Sequence, residues 1–131
     1  MTHAANPDEA RRLRGGSAWR SGVAAEEAVA RHYEDRGLAV AARRWRSPWG
    51  EVDLIARQGA TVIIVEVKKA RSLDLAAHRL SRRQMDRLCA AAQAFCEGEP
   101  RGSLTDLRFD LALVDGMGRV AVIENAFGED F

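Results

Sequence analysis

The stretch Gly50-Glu51-Val52-Asp53-Leu54-Ile55-Ala56-Arg57-Gln58-Gly59-Ala60-Thr61-Val62-Ile63-Ile64-Val65-Glu66-Val67-Lys68 decides the fold. Two apolar, β-branched runs, Glu51 to Arg57 and Thr61 to Lys68, flank Gln58-Gly59-Ala60, the pattern of two strands around a tight turn. With a two-residue loop Gly59-Ala60, glycine first as a type II′ turn favours, Gln58 pairs with Thr61. Counting back, Asp53 falls directly opposite Glu66. Directly opposed side chains on one face have Cβ atoms about 5 Å apart. A three-residue loop would shift the register by one. Glu66 and Lys68, two apart on one strand, point to the same face.

Outward from this hairpin, Ser47-Pro48-Trp49-Gly50 reads as a turn and Leu38 to Trp45 as a strand. A first helix spans about Gly22 to Arg36 and stops at Gly37, a residue suited to the left-handed C-terminal position. Before it, residues 1–21 are polar, carry Pro7, Gly15 and Gly16, and show no period, which reads as a mobile arm ahead of a single domain over 22–131. Arg71 to Leu80 carries no decisive pattern. Ser81-Arg82-Arg83-Gln84 fits a capping box. The helix it opens runs to about Glu97, with Met85, Leu88, Cys89, Ala92, Phe95 and Cys96 on one stripe. Leu107 to Val114 and Arg119 to Ile123 are strands around Asp115-Gly116-Met117-Gly118. The order is α-β-β-β-α-β-β.

At 131 residues the chain is long enough for one domain with a core of its own. The formal net charge of +1 hides an asymmetry: Ala39 to Arg87 carries 11 basic and 5 acidic residues, and Leu88 to the end 3 basic and 8 acidic. A basic middle section is either a polyanion-facing surface or a set of solvated arginines. Cys89 and Cys96, seven apart on a helix, would have Cα atoms roughly 10 Å apart, too far for a disulfide, so they read as core residues of a reduced compartment. There is no apolar run of membrane-spanning length and no secretory signal, which makes a cytoplasmic location the expectation.

Asp53, Glu66 and Lys68 are the residues whose types carry chemistry. Two opposed carboxylates repel unless they share a cation, and hard oxygen donors suit Mg²⁺ or Mn²⁺. A bound cation would activate water and stabilise charge on phosphate oxygens, with Lys68 polarising the phosphate or orienting the water. The alternative is a salt bridge, Lys68 neutralising one acid. In the first helix Val23, Glu26, Ala30 and Tyr33 share a stripe, whereas Glu27 belongs with Arg31 and Glu34 on a solvated face. Glu26 is therefore an acid on the core-facing side, either satisfied by a buried partner or aimed at the site. Arg82 and Arg83 open a helix whose dipole disfavours cations, which a local anion or solvent screening would explain. Gln84 either closes the capping box or supports the site. Arg43-Arg44-Trp45-Arg46-Ser47-Pro48-Trp49 interleaves arginines with tryptophans, as a backbone-gripping, base-stacking surface would, although Trp45 alone also reads as a core or edge residue. His3, His32 and His78 form no metal pattern, and the glycines form no phosphate loop.

Gly22-x-x-x-Glu26, Gly37-Leu38, Gly50-Glu51-Val52-Asp53-Leu54-Ile55-Ala56, Val65-Glu66-Val67-Lys68 and Arg108-Phe109-Asp110 together resemble the YraN-like bacterial family, which is similar to archaeal Holliday-junction resolvases and to the PD-(D/E)XK nuclease superfamily. The resemblance covers about Ser21 to Phe127. It implies a restriction-endonuclease-like core, a mixed β-sheet flanked by helices. It implies Asp53, Glu66, the Val67 backbone carbonyl and Glu26 as the metal shell for Mg²⁺ or Mn²⁺, and Glu26, Asp53, Glu66 and Lys68 as the catalytic set. Two departures stand out: Val52 occupies the place of the superfamily proline, and Gln84 stands where relatives carry a basic residue.

The resulting expectation is a metal-dependent DNA endonuclease, structure-selective in the manner of a junction resolvase. Arg43, Arg44, Arg46, Trp49, Lys69, Arg71, Arg82 and Arg83 are its expected nucleic-acid contacts, and the resolvase analogy favours a homodimer. The alternatives are a non-catalytic nucleic-acid-binding protein that retains the nuclease fold, and a protein-interaction factor.

Overall fold

The computed structural model of the protein describes residues 22–69 and 81–127. The expected arm over 1–21, the stretch 71–80 and Arg71 lie outside them. Helix α1 covers residues 22–35. Strands β1 (Ala39–Ser47), β2 (Gly50–Gln58) and β3 (Thr61–Lys69) follow, then helix α2 (Arg82–Cys96), a 3₁₀ turn (Gly102–Leu104), β4 (Leu107–Val114) and β5 (Val120–Ile123). The five strands form one sheet in the order β1-β2-β3-β4-β5. Only β3 and β4 run parallel, because the connection between them carries α2 across one face, as a parallel pair requires. This is the expected mixed sheet flanked by helices, a restriction-endonuclease-like arrangement.

Local chemistry explains where each element starts and stops. Gly37 adopts φ 83°. The Gly37 N–H donates to the Glu34 carbonyl and the Leu38 N–H to the Tyr33 carbonyl, closing α1 with a Schellman motif. The capping box that opens α2 is formed: Ser81 Oγ accepts from the Gln84 N–H at 3.1 Å, and Gln84 Oε1 accepts from the Ser81 N–H at 3.2 Å. Gln58 pairs with Thr61, and Gly59 takes φ 60° at the first turn position, the positive φ that a primed hairpin turn needs.

The sheet is buried on both faces, so β3 reads Val62 to Val65 without alternation. On one face α1 packs Ala25, Val29, Ala30 and Tyr33 against Leu54, Ala56, Ile63, Val65, Ala112 and Val114. On the other, α2 packs Leu88, Ala91 and Ala92 against Val52, Ile55, Val62, Ile64, Phe109 and Phe127. The α1 stripe is thus centred one residue away from the expected one, on Ala25 and Val29, which places Glu26 at its margin. Neither cysteine is disulfide-bonded: Cys96 is buried and Cys89 packs against the α2-face core. Among the described residues no helix is long and apolar enough to cross a membrane.

A buried polar node ties α1 to the far edge of the sheet. Asp110 is fully buried. Its carboxylate accepts from the Tyr33 hydroxyl at 2.7 Å, from Arg108 Nε and Nη2 at 2.9 Å each, and from the Asn125 N–H at 3.0 Å. Burial and the adjacent carboxylate hold the Tyr33 hydroxyl far above the usual phenol range. Every acceptor site of the buried charge is used, the condition under which a buried ion pair is tolerated. Asp110→Ala strips Arg108, the Tyr33 hydroxyl and the Asn125 N–H of their shared buried acceptor at once and is expected to cost about 3–5 kcal/mol. Tyr33→Phe removes one hydrogen bond to a charged acceptor and should cost about 1.5–3 kcal/mol. Urea unfolding of both variants measures these costs.

Candidate active site

The site forms where β2 and β3 part. Their ladder runs from Gln58↔Thr61 to Leu54↔Val65 and stops there. Beyond it, β2 continues with β1 as far as Ser47↔Gly50, and β3 continues with β4 as far as Lys69↔Val114. The two strands diverge into a cleft at the C-terminal end of β3. Continuing the register by one step puts Asp53 opposite Glu66, as the strand count requires.

The alternation of β2 slips at the mouth of this cleft. Leu54 and Ala56 pack on the α1 face, but Val52 packs on the α2 face, whereas residues two apart in a regular strand share a face. The neighbouring strand slips at the same level. Arg43 and Arg44 both reach α1, bonding Glu27 and Glu26, while Trp45 packs on the α2 face. Arg44 takes φ 49°, and the β1–β2 ladder skips both Arg44 and Asp53. Asp53 is thereby turned out of the alternation and into the gap: its Oδ2 accepts the Val67 N–H at 2.8 Å. The N–H and C=O of one strand residue point to the same edge, so the Val67 carbonyl also faces the cleft.

Strand β3 keeps a regular phase, which puts Glu66 and Lys68 on the α2 face with Ile64. Glu66 is 6% exposed, and Lys68 Nζ lies 3.4 Å from its Oε1. Glu66 and Asp53 are close enough for each to shift the titration of the other. Burial, and then the charge of Glu66, push the Asp53 carboxyl up to about 7, against the pull of the Val67 N–H. Burial also raises Glu66, and Lys68 and Arg87 offset part of that rise. Both shifts disfavour the ionised acids, first because burial withdraws solvent from them.

The remaining expected residues separate into groups. Glu26 Oε2 accepts from Arg44 Nε at 2.7 Å, so it approaches Asp53 from the α1 face, opposite Glu66, with a partner of its own. Glu27 is exposed and pairs with Arg43. Gln84 serves the α2 cap. Arg82 Nε lies 3.3 Å from Asp86 Oδ1 on the same helix. Arg46 is exposed, 3.7 Å from Glu51. Arg83 and Lys69 are exposed, and Trp49 is 51% exposed at the β1–β2 turn. Trp45 meets Phe95 of α2 edge-on at 5.3 Å, a core contact. Among the described residues no group of three or more His, Cys, Asp and Glu side chains comes together to hold a metal ion. Two carboxylates and one backbone carbonyl converge instead.

Sequence reasoning passed over Arg87. Its side chain lies across Gly50: a Cβ at Gly50 would sit 3.0 Å from Arg87 Cδ and 3.3 Å from Nη1. Gly50 also takes φ 124°, a conformation that side-chain-bearing residues avoid. The available signal was helix phase. Arg87 is three residues after Gln84 and four before the buried Ala91, at the margin of the α2 stripe.

A profile described as "Uncharacterised protein family UPF0102" matches residues 25–114. The chain belongs to the UPF0102 family. The family is the YraN-like group of the sequence resemblance, within the broader PD-(D/E)XK-like structural superfamily. A UPF0102 protein of Cereibacter sphaeroides is 64% identical over 107 residues, covering 82% of this chain and 92% of its own. One from Ruegeria pomeroyi is 56% identical over 108 residues, 82% of this chain and 88% of its own. One from Dinoroseobacter shibae is 46% identical over 116 residues, 88% of this chain and 87% of its own. The UPF0102 match runs from Ala25, within α1, to the end of β4, and so includes Asp53, Glu66 and Lys68 together with Tyr33, Arg108 and Asp110.

The raised Asp53 value has a consequence for stability. The unfolded carboxyl titrates near its ordinary value of 3.8, so between that pH and about 7 the folded chain holds a proton that the unfolded chain has lost. Stability contributed by the protonated acid is complete below the lower value and is lost as pH rises through the upper one. Asp53→Asn keeps an acceptor for the Val67 N–H and removes the charge. Its melting temperature should exceed that of the wild type at pH 8, by on the order of 5 °C, and the gap should narrow as pH falls, closing only towards the lower value. Paired melts across this range cancel the contributions of groups that do not interact with Asp53.

Proposed function

We propose that this protein is a metal-dependent endonuclease that hydrolyses phosphodiester bonds in DNA, with preference for branched substrates and with a homodimer as its working unit. The observation that carries the reading is the pair of adjacent carboxylates, Asp53 and Glu66, largely withdrawn from solvent with Lys68 beside them. The donor set fits a hard divalent cation. Mg²⁺ is commonly held by one or two carboxylates, with water and substrate phosphate completing its shell. Asp53, Glu66 and the Val67 carbonyl would hold it, with Glu26 as the reserve acid on the α1 side. When bound, such a cation lowers the pKa of coordinated water and offsets charge on the phosphate.

The chain's own residues do the rest. Asp53 and Glu66 would fix where a cation, and through it the phosphate, sits relative to the strand ends. Lys68, held by Glu66, presents an ammonium to the attacking water or to a non-bridging oxygen. A water oxygen bonds to phosphorus, the bond to the leaving sugar oxygen breaks, and that oxygen takes up a proton. Arg46, Trp49, Lys69, Arg82 and Arg83 carry the exposed charge and aromatic surface that would track the nucleic-acid backbone. The rival reading, a nucleic-acid-binding protein that keeps the fold, is favoured by the Lys68–Glu66 ion pair, in which the lysine already has a partner.

Purified protein with Mg²⁺ or Mn²⁺ should cleave duplex, single-stranded or four-way-junction DNA. Asp53→Asn, Glu66→Gln and Lys68→Ala should each slow cleavage by about 100-fold or more. Mn²⁺ at about 100 times its Kd should stabilise the wild type by about 2.7 kcal/mol and leave Glu66→Gln unmoved. Wild-type rates in the two acid variants would sink the nuclease reading. DNA binding without product or metal response would establish the rival.

A further inference from the structure

Resting on the nuclease reading, one more residue of the site can be assigned. Most polar side chains near the acid pair already have partners. Lys68 is paired with Glu66, Arg44 with Glu26 and Arg82 with Asp86, and Gln84 is bound into the α2 cap. Arg87 differs. Among the described residues no ion pair joins it to a carboxylate within 4 Å, yet Glu66 feels its charge. It is exposed, and it springs from α2, the helix on the same sheet face as Glu66 and Lys68.

Its position is built. The end of the side chain lies along Gly50, with Cδ, Nη1 and Nε all within 3.4 Å of where a Cβ would stand. Gly50 is the first residue of β2, three before Asp53. The hairpin tip beneath it is pinned: Ser47 Oγ donates to the Gly50 carbonyl at 2.8 Å and accepts the Trp49 N–H at 3.2 Å. A long cationic side chain is thus laid across the hairpin at the lip of the cleft, where the missing Cβ leaves it room. Exposed arginines without such a surface lose considerable rotamer entropy when they bind.

We infer that Arg87 is the phosphate-binding arginine of this site, gripping a DNA phosphate at the cleft while Asp53, Glu66 and Lys68 act on it. A guanidinium suits this role because its planar fork can donate two parallel hydrogen bonds to phosphate oxygens.

The test uses the full chain with a duplex and a four-way junction. Binding is titrated over a salt series in Ca²⁺, and single-turnover cleavage is followed in Mg²⁺ or Mn²⁺. Arg101→Ala, far from the cleft, is the control, and melting temperature checks that each variant folds. Arg87→Ala should reduce the slope of log K against log salt by about 0.9, the loss of one phosphate contact, and slow cleavage by about 100-fold. Arg87→Lys should keep the slope, because charge is retained, and still cleave about 10-fold more slowly, because the fork is lost. Unchanged slope and rate in Arg87→Ala, beside a wild type that binds and cleaves, would overturn the assignment and leave the nuclease reading intact. A slower rate with an unchanged slope would also overturn it, tying Arg87 to Glu66 instead of to phosphate. A wild type that neither binds nor cleaves would end both readings.

Discussion

The hydrogen bond from the Val67 N–H to the Asp53 carboxylate is the interaction on which the rest of the site depends. Two strands that leave a common ladder expose backbone donors and acceptors at the point of divergence. An unsatisfied buried N–H costs about 1–3 kcal/mol. Asp53 answers for Val67 at 2.8 Å, so β2 can follow β1 while β3 follows β4. The same bond brings the acid to the edge of β3, where Glu66 already stands. The fold is completed at this point by two neighbouring acids whose ionised forms burial disfavours.

The two helices divide the work. Helix α1 supplies structural anchors to its face of the sheet: Glu26 and Glu27 hold the arginines of β1, and Tyr33 closes the Asp110 node. The paired phase slip at Arg44 and Asp53 depends on this grip, since Arg44 sits in a left-handed conformation that its ion pair with Glu26 helps to offset. Helix α2 supplies the cationic side of the cleft. Its apolar stripe sits on Val52 and Ile55, and the next residue around the helix from Leu88 is Arg87. The node at Asp110 and the pair at Asp53 are both buried acids, but they differ in kind. Asp110 has a bidentate arginine, a phenol and a backbone N–H, whereas Asp53 has one N–H and a second acid.

Much of this was legible in the chain because it is governed by local rules. The Gly59-Ala60 turn set the register that brings Asp53 to Glu66. The spacing of two placed Glu66 and Lys68 on one face. Ser81 and Gln84 announced the α2 cap, and Gly37 the end of α1. Each depends on residues close in sequence and on one period. Periodicity also had limits. The α1 stripe read through Glu26 is centred on Ala25 and Val29, because alanines stand on several faces of this helix and mark its phase weakly.

The sequence by itself determined the order of elements, the pairing of β2 with β3 and the residue types at their ends, because turn chemistry and alternation act over a few residues. The tertiary structure alone decided what those ends do. That β2 and β3 part after Leu54 and Val65 follows from their other neighbours, β1 and β4, one of which lies some forty residues further along the chain. That Glu26 is engaged by Arg44, and that Arg87 lies along Gly50, follows from which face each helix covers. Pairings of this kind join residues distant in sequence through packing and burial, and no local pattern encodes them.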